Sequence, residues 1–158
     1  MFSIFKSYYL ITIIAFFALL SSCDTVYEQK IEIADQEWSY KDSVLFSIDV
    51  TETQSQYNVF IDLENSDLYP FSNLYLFISI KSDDNKVITD TVDVTLADYK
   101  GQWYGDKSGD NYEGHYLFKR AIIFPKEGEY QFSIKHGMRK DTLAGITAVG
   151  ISVEKFNQ

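Results

Sequence analysis

Short segments in which apolar and polar residues alternate recur along this chain, and no other feature constrains its fold as strongly. In Ser43–Val50 every second residue is apolar, and Gln56–Glu64 repeats the pattern with Tyr57 and Val59 among its apolar positions. Because successive side chains of a strand point to opposite faces, such alternation predicts half-buried β-strands. Seven segments are predicted to be strands: Ser43–Val50, Gln56–Glu64, Asn73–Ile80, Lys86–Leu96, His115–Phe124, Glu129–His136 and Gly145–Lys155.

The spacing of these strands predicts an all-β fold. No segment carries an apolar helical stripe over three turns, and the strands do not alternate with helices, so a parallel sheet is not expected. Ala97–Gly114 is expected to be a long loop, and Asn73–Ile80, which is apolar on both faces, a central strand. We therefore predict a single antiparallel β-sandwich of about seven strands. Spacing alone leaves the strand order open between an immunoglobulin-like and a jelly-roll arrangement.

The amino-terminal segment has the pattern of a secretory signal peptide. Lys6 is the only charge before an apolar run from Tyr8 to Leu20, which is shorter than a bilayer-spanning helix. The run ends in Leu20-Ser21-Ser22-Cys23, the bacterial lipobox pattern of a branched apolar residue, two small residues and a cysteine. We predict a lipoprotein signal peptide over residues 1–22 and a covalent lipid on Cys23 that anchors the mature chain to a membrane.

Cys23 is the only cysteine, so the exported domain can form no internal disulfide. Residues 23–36 are predicted to be the lipidated amino terminus and a polar tether, part of which can pair with the domain, and residues 37–158 the sandwich domain. The formal net charge of −9 argues against nucleic acid as a partner and against attraction to an anionic lipid surface. The acyl anchor is therefore expected to hold the protein at the membrane.

Motifs that would indicate an enzyme are weak in this sequence. The chain has two histidines, His115 and His136, and contains neither HExxH nor Gly-x-Ser-x-Gly. Three residues of one loop, Asp106, Ser108 and Asp110, are spaced as in an EF-hand, but asparagine follows where that loop needs glycine. We predict no catalytic residue, no metal and no cofactor other than the lipid. An enzyme with paired carboxylates remains an alternative, drawing on scattered acids such as Asp42, Asp62, Asp90 and Asp93.

Aromatic residues in predicted loops are the more unusual feature. The candidates for contact with a partner are Tyr69, Phe71, Trp103, Tyr104 and Arg139. The favoured interpretation is that the first three rings pack at the ends of the sandwich. The second is an exposed contact patch, because aromatic residues and arginine are enriched where proteins bind each other most strongly. A carbohydrate- or small-ligand-binding sandwich, with Trp103 and nearby tyrosines as a platform, is a further alternative.

Several groups of residues occur in a recognisable order along the mature chain. They are Tyr40-Lys41-Asp42-Ser43 with Phe46, Tyr69-Pro70-Phe71-Ser72-Asn73-Leu74-Tyr75-Leu76, Gly101-Gln102-Trp103-Tyr104-Gly105, Phe124-Pro125 with Gly128-Glu129-Tyr130, and Met138-Arg139 with Leu143-Ala144-Gly145-Ile146 and Val149-Gly150. Together with the lipobox, these groups resemble the gliding motility lipoprotein GldH family.

The resemblance implies an outer-membrane-linked lipoprotein needed for gliding by movement of surface adhesins, alongside the type IX secretion apparatus. It implies no catalytic residue, so it assigns no site to this chain. Members of the family also occur in bacteria that do not glide. We expect a lipid-anchored, non-enzymatic accessory or assembly component on the periplasmic face of the outer membrane, with other envelope or motility proteins as its partners.

Overall fold

The computed structural model describes residues 25–156, which form eleven β-strands and one short 3₁₀ turn at Ala34–Gln36. Cys23 and the predicted signal peptide lie outside the described residues, so lipidation at Cys23 stays a prediction. No helix in residues 25–156 is long and apolar enough to span a membrane. The strands are β1 Thr25–Glu32, β2 Glu37–Ser39, β3 Val44–Val50, β4 Tyr57–Ser66, β5 Asn73–Ser82, β6 Val87–Thr95, β7 Asp106–Ser108, β8 Asn111–Ile122, β9 Gly128–His136, β10 Thr142–Ala144 and β11 Ile146–Lys155.

Two antiparallel sheets enclose one hydrophobic core. The first has the strand order β1-β11-β4-β8-β7, the second β3-β9-β5-β6, and β2 pairs with β10 in a separate two-stranded ribbon. Every second residue of β3, beginning with Val44 and Phe46, is buried between the sheets, and β4 and β9 follow the same pattern. The predicted all-β antiparallel sandwich is confirmed.

The pairing of the eight longer strands decides the strand order. These strands are β1, β3, β4, β5, β6, β8, β9 and β11, and they pair first with last, second with seventh, third with sixth and fourth with fifth. Such nested pairing describes one long hairpin rolled up on itself, which distributes the eight strands over two sheets as 1-8-3-6 and 2-7-4-5. This is the jelly-roll order, so the immunoglobulin-like alternative does not apply.

The described part of the predicted tether over residues 23–36 is largely paired with the sandwich. Thr25–Glu32 forms β1, an edge strand that pairs with β11 along its whole length. Tyr27 and Ile31 pack against the core, whereas Glu28, between them, is exposed. The alternation is present in the sequence, but so few inward-facing residues are strongly apolar that the segment resembles a polar linker. The folded domain therefore begins by residue 25 rather than residue 37.

Three further short strands raise the number of strands from the expected seven or so to eleven. β2 and β10 pair Trp38 with Leu143, and β7 pairs with the first residues of β8. Ala97–Gly114, predicted to be one long loop, therefore contains a hairpin. Its turn includes Gly109 at a φ of 61°, a left-handed conformation that glycine adopts without strain. As a result β8 begins at Asn111 and not at the predicted His115.

The strand connections lie at two opposite ends of the sandwich. At the end where β1 begins, residues 51–56, 83–86 and 123–127 connect strands, and we call this the amino-terminal end. Residues 67–72 and 96–105 lie at the other end, together with residues 137–141, and we call this the cleft end. The ten residues of β11 run from one end to the other, a distance of about 30 Å at the usual rise per strand residue.

Candidate partner-binding cleft

A shallow cleft of about 620 Å³ opens at the cleft end, beside the outer face of the second sheet. Tyr75 and Phe77, on the outer face of β5, are 42% and 45% exposed, although β5 is a central strand of its sheet. Exposed aromatic rings beside arginine are the composition of strong protein-binding surfaces. The residues that line the cleft are Phe71, Tyr75, Gly137, Met138, Arg139 and Lys140.

Backbone contacts between β5 and the segment after β9 form one side of the cleft. The backbone N–H of Gly137 donates to the carbonyl of Tyr75 at 2.6 Å, and the N–H of Tyr75 donates to Sδ of Met138 at 3.4 Å. A Cβ on Gly137 would lie 2.9 Å from the ring of Phe77, closer than real Cβ contacts come. Glycine is therefore the residue that lets residues 137–140 lie against β5.

The ring of Tyr75 is held in place by its neighbours. Its hydroxyl hydrogen-bonds to the carboxylate of Asp93, and this interaction raises the pKa of Tyr75. Asp93 also accepts a hydrogen bond of 2.7 Å from Nδ2 of Asn73. A ring oriented by such a contact loses less conformational freedom when a partner covers it, which favours binding.

The cleft carries positive charge on a chain whose formal net charge is −9. Among residues 25–156, neither Arg139 nor Lys140 forms an ion pair with a carboxylate, and Lys135 adds a further cation opposite Phe77 in β9. Cations without carboxylate partners beside an apolar surface attract anionic groups, so the cleft suits an apolar segment that carries acidic residues. Four lysines elsewhere do form ion pairs: Lys30, Lys119, Lys126 and Lys155.

Tyr69, predicted as a possible partner contact, is a core residue. It is only 2% exposed, its hydroxyl donates to the backbone carbonyl of Asn73 at 2.8 Å, and burial raises its pKa. Its ring lies between those of Phe71 and Trp103, with centroid distances of 5.7 and 6.3 Å. Tyr69 therefore cannot contact a partner of the folded protein, and it supports the rings that flank it.

The other predicted contacts separate into two groups. Phe71 and Arg139 both line the cleft. Trp103 is half-buried, donates from Nε1 to Asp67 at 3.1 Å, and packs at an angle of 40° against Tyr112. It is therefore not an open platform for a sugar ring. Tyr104 is 62% exposed on the same loop but does not line the cleft.

Sequence reasoning missed Tyr75, Phe77 and Met138 as parts of this surface. The signal was present in Asn73–Ile80, where apolar residues occupy both faces. That pattern is typical of a central strand. β5 is central, but the outer face at Tyr75 and Phe77 is covered only in part by residues 25–156.

A polar chain on the outer face of the first sheet resembles a catalytic triad in composition only. Nδ1 of His115 lies 2.5 Å from one carboxylate oxygen of Asp62, and the hydroxyl of Ser152 donates to the other oxygen. The carboxylate stands between serine and histidine, so the imidazole cannot take the hydroxyl proton as a nucleophile's base must. Phe60 stacks on His115 at 4.0 Å, which fixes the imidazole on the sheet surface.

Acidic residues of the first sheet form ion pairs and hydrogen bonds. Nζ of Lys30 lies 3.0 Å from Glu64 and 3.3 Å from Glu113. Burial alone would raise the pKa of Glu64, but hydrogen bonds from Lys30 and Asn111 outweigh it and lower that pKa. A general acid needs the opposite shift. Asp62 lies on the outer face of the first sheet and Asp93 on that of the second, so these two carboxylates cannot act together.

The acid-containing hairpin 106–113 is part of the first sheet. Asp106 pairs with Glu113, and Ser108 with Asn111, as residues of β7 and β8. Within residues 25–156, no three Asp, Glu, His or Cys side chains converge as a metal-binding group. The hairpin is therefore explained by sheet pairing, and the absence of a bound metal stays a prediction.

The model of the family described as GldH lipoprotein matches residues 25–153, nearly everything that the structure describes. The chain belongs to the GldH lipoprotein family. The resemblance found in the motifs is confirmed, and membership identifies a lipid-anchored envelope protein.

Two relatives extend the GldH assignment over most of the chain. The gliding motility lipoprotein GldH homolog of Christiangramia forsetii is 37% identical over 147 residues, covering 87% of this chain and 89% of that protein. The gliding motility lipoprotein GldH of Flavobacterium johnsoniae is 31% identical over 147 residues, covering 87% of this chain and 90% of that protein. The GldH family assignment therefore applies to the entire sandwich.

Solved structures align with this GldH family member only distantly. A family GH115 4-O-methyl-alpha-glucuronidase aligns with a TM-score of 0.39 at 14% identity, covering 82% of this chain and 14% of that one. A structure of infectious bursal disease virus aligns with a TM-score of 0.38 at 14% identity, covering 83% of this chain and 32% of that one. Similarity at this level carries no argument about function.

Proposed function

We propose that this chain is a non-enzymatic accessory component of the gliding motility machinery, acting on surface adhesin movement linked to type IX secretion. It is held by a lipid on Cys23 at the periplasmic face of the outer membrane. Its task is to dock onto another envelope protein through the cleft. The lipid is its only attached group.

The observation that carries this proposal is the cleft itself. Tyr75 and Phe77 remain close to half exposed on a folded domain, and Arg139 lines the cleft with Tyr75 without a carboxylate partner in residues 25–156. Covering the exposed part of one such ring is worth about 1 kcal/mol. A carboxylate bound to Arg139 adds a charge-assisted hydrogen bond.

Lipid anchoring strengthens this mode of action. A protein confined to a membrane surface meets other proteins of that membrane at an effective concentration far above its average in the cell. A shallow docking surface of modest intrinsic affinity is then sufficient for assembly.

The remaining candidates are less well supported. The carbohydrate alternative needs an open aromatic platform, and Trp103 is half-buried and bonded to Asp67. Catalysis needs a nucleophile with its base or a carboxylate pair, and the chain Ser152–Asp62–His115 provides neither. A docking function needs only the exposed side chains that the cleft already presents.

Site-specific photocrosslinking in the native bacterium tests the proposal. A photoreactive amino acid in place of Lys140, at the cleft, should yield one dominant adduct with an envelope protein. The matched position is Leu117, which is 50% exposed on the outer face of the other sheet and should not yield that adduct. Loss of the adduct and of cell spreading in a Tyr75→Ser, Phe77→Ser variant would tie the contact to function. Equal adducts from both positions would refute docking at the cleft.

A further inference from the structure

The beginning of β1 limits how the folded domain can stand on its membrane. Thr25, the first residue of β1, follows the predicted lipidated Cys23 by only two positions. We infer that the lipid bilayer carrying the anchor contacts the amino-terminal end of the sandwich, so that the cleft faces away from it. This inference rests on the lipid anchor of the proposed function.

The reach of the connection is short. Two residues span at most about 7 Å even when fully extended. The headgroup layer on one side of a bilayer is itself about 5–7 Å thick. An anchored chain therefore enters β1 at the level of the lipid headgroups or immediately above them.

β1 cannot act as a longer tether because it is part of the fold. Its register with β11 runs from Thr25 opposite Glu154 to Glu32 opposite Ala148. Tyr27 and Ile31 pack against the core, and burial raises the pKa of the Tyr27 hydroxyl. Releasing β1 would expose these side chains and the edge of β11, so the short connection persists in the native state.

The surface at the amino-terminal end includes an exposed apolar residue and a cation that can meet lipid headgroups. Ile123 is 55% exposed, and the guanidinium of Arg120 lies over the ring of Phe156 at 5.7 Å. No carboxylate within residues 25–156 pairs with Arg120, which leaves it available to lipid phosphates. Among the acids of this end, Asp84 pairs with Lys126 at 3.2 Å and Glu52 with Lys155 at 2.8 Å, whereas Asp83 and Glu127 form no ion pair within residues 25–156.

This orientation also determines what can occupy the cleft. The cleft lies about 30 Å along the strands from the amino-terminal end, several Debye lengths at physiological salt. Lipids of the anchoring bilayer therefore cannot reach Arg139 or Tyr75. The occupant is instead a protein segment that extends at least 30 Å from that membrane.

Depth-dependent fluorescence quenching tests the orientation in the acylated, mature protein. Because Cys23 is the only native cysteine, a second cysteine is the sole free thiol for labelling once Cys23 is acylated. Gln54→Cys, at the amino-terminal end, and Tyr104→Cys, at the cleft end, receive the same maleimide fluorophore. The protein is placed in phosphatidylethanolamine–phosphatidylglycerol vesicles that contain a headgroup-linked quencher. We expect quenching at residue 54 and none at residue 104.

A lengthened connection provides the control. Ten Gly/Ser residues inserted between Asp24 and Thr25 should reduce quenching at residue 54 severalfold without changing the unfolding transition. Equal quenching at the two positions, stronger quenching at residue 104, or no effect of the insertion would overturn the inference. Mass spectrometry of the same samples separates the causes of failure. An acylated Cys23 with equal quenching rejects only the orientation, whereas an unmodified thiol rejects the anchor as well.

Discussion

Gly137 lies against the ring of Phe77, and a Cβ added to Gly137 would stand 2.9 Å from that ring. Phe77 is close to half exposed and can yield, so Gly137→Ala should displace the ring while the fold persists. We expect the free energy of unfolding to fall by less than about 1 kcal/mol. If the displaced ring weakens docking by about 1 kcal/mol, the crosslinking yield at the cleft should fall about fivefold. Ser47→Ala, on the exposed face of β3, is the control and should change neither quantity.

Charge reversal at the cleft tests the basic rim. Arg139→Glu should abolish the cleft adduct and reduce cell spreading, because it replaces an unpaired cation by a charge that repels an acidic partner. Lys81→Glu makes the same charge change at the other end of the same sheet and should leave the adduct intact. Both residues are exposed, so both variants should unfold within about 0.5 kcal/mol of the native protein. A similar loss of adduct in the two variants would show that the adduct depends on the net charge of the protein and not on the charge at the cleft.

Gly145 and Gly101 provide a matched pair for backbone strain. Their φ angles are 86° and 81°, but a Cβ on Gly145 would collide with the backbone nitrogen of Tyr69, whereas a Cβ on Gly101 would meet nothing within 4 Å. Gly101→Ala should cost about 1 kcal/mol of unfolding free energy, and Gly145→Ala about 3 kcal/mol or more. Chemical denaturation of both variants measures the difference. Equal losses would mean that the turn at Tyr69 relaxes freely.

His136 should make stability depend on pH. It is 3% exposed on the inner face of β9, within 5.4 Å of the Trp38 ring, and neither imidazole nitrogen has a well-formed hydrogen bond in residues 25–156. Burial lowers the pKa of His136, an effect that the backbone of Trp38 partly offsets. The imidazole of His136 therefore binds a proton more readily in the unfolded chain than in the native state. Stability is therefore complete above the unfolded pKa of about 6.5 and falls as pH drops through and below it, by at most about 1.4 kcal/mol per pH unit.

Urea denaturation at pH 7.5 and pH 5.5 measures how the free energy of unfolding depends on pH, in a range above that in which most carboxylates titrate. His136→Phe keeps a ring beside Trp38 and should remove the dependence that His136 contributes. His115 is unchanged in this variant, so any slope that persists belongs elsewhere. An identical pH dependence in the variant and the native protein would assign no role to His136.

Tyr69→Phe separates a core role from a docking role. It removes the hydroxyl that donates to the carbonyl of Asn73 and leaves that acceptor unsatisfied, which should cost about 1 kcal/mol or more of unfolding free energy. The cleft adduct should persist, because Tyr69 is buried. Tyr104→Phe, at an exposed ring, should leave stability unchanged. A lost adduct with unaltered stability in Tyr69→Phe would reverse this assignment.

Seven of the eleven strands were predictable because their alternation is long and strongly apolar. β2 and β10 have three residues each, and one buried residue in each, Trp38 and Leu143, cannot define a period. β1 alternates, but it faces the core mainly with Tyr27 and Ile31. The nested strand order depends on pairing between residues far apart in the chain, which a local pattern does not encode.

The candidate site was predictable only in part for a similar reason. Tyr69 and Phe71 flank Pro70 in one loop, yet the first ring is buried and the second lines the cleft. Local sequence does not say which ring turns inward, since this depends on packing against distant segments, such as that of Gly145, which closely approaches the backbone of Tyr69. The exposure of Tyr75 and Phe77 is also set by distant segments, which cover the outer face of β5 only in part.

The antiparallel pairing of β1 with β11 also has a mechanical consequence. A pull between the bilayer and a partner held at the cleft runs parallel to β1, from its first residue towards the far end of the molecule. Such a load shears the backbone hydrogen bonds of that strand pair together, whereas a load across the strands would open them one after another. A domain in this geometry resists traction along its long axis.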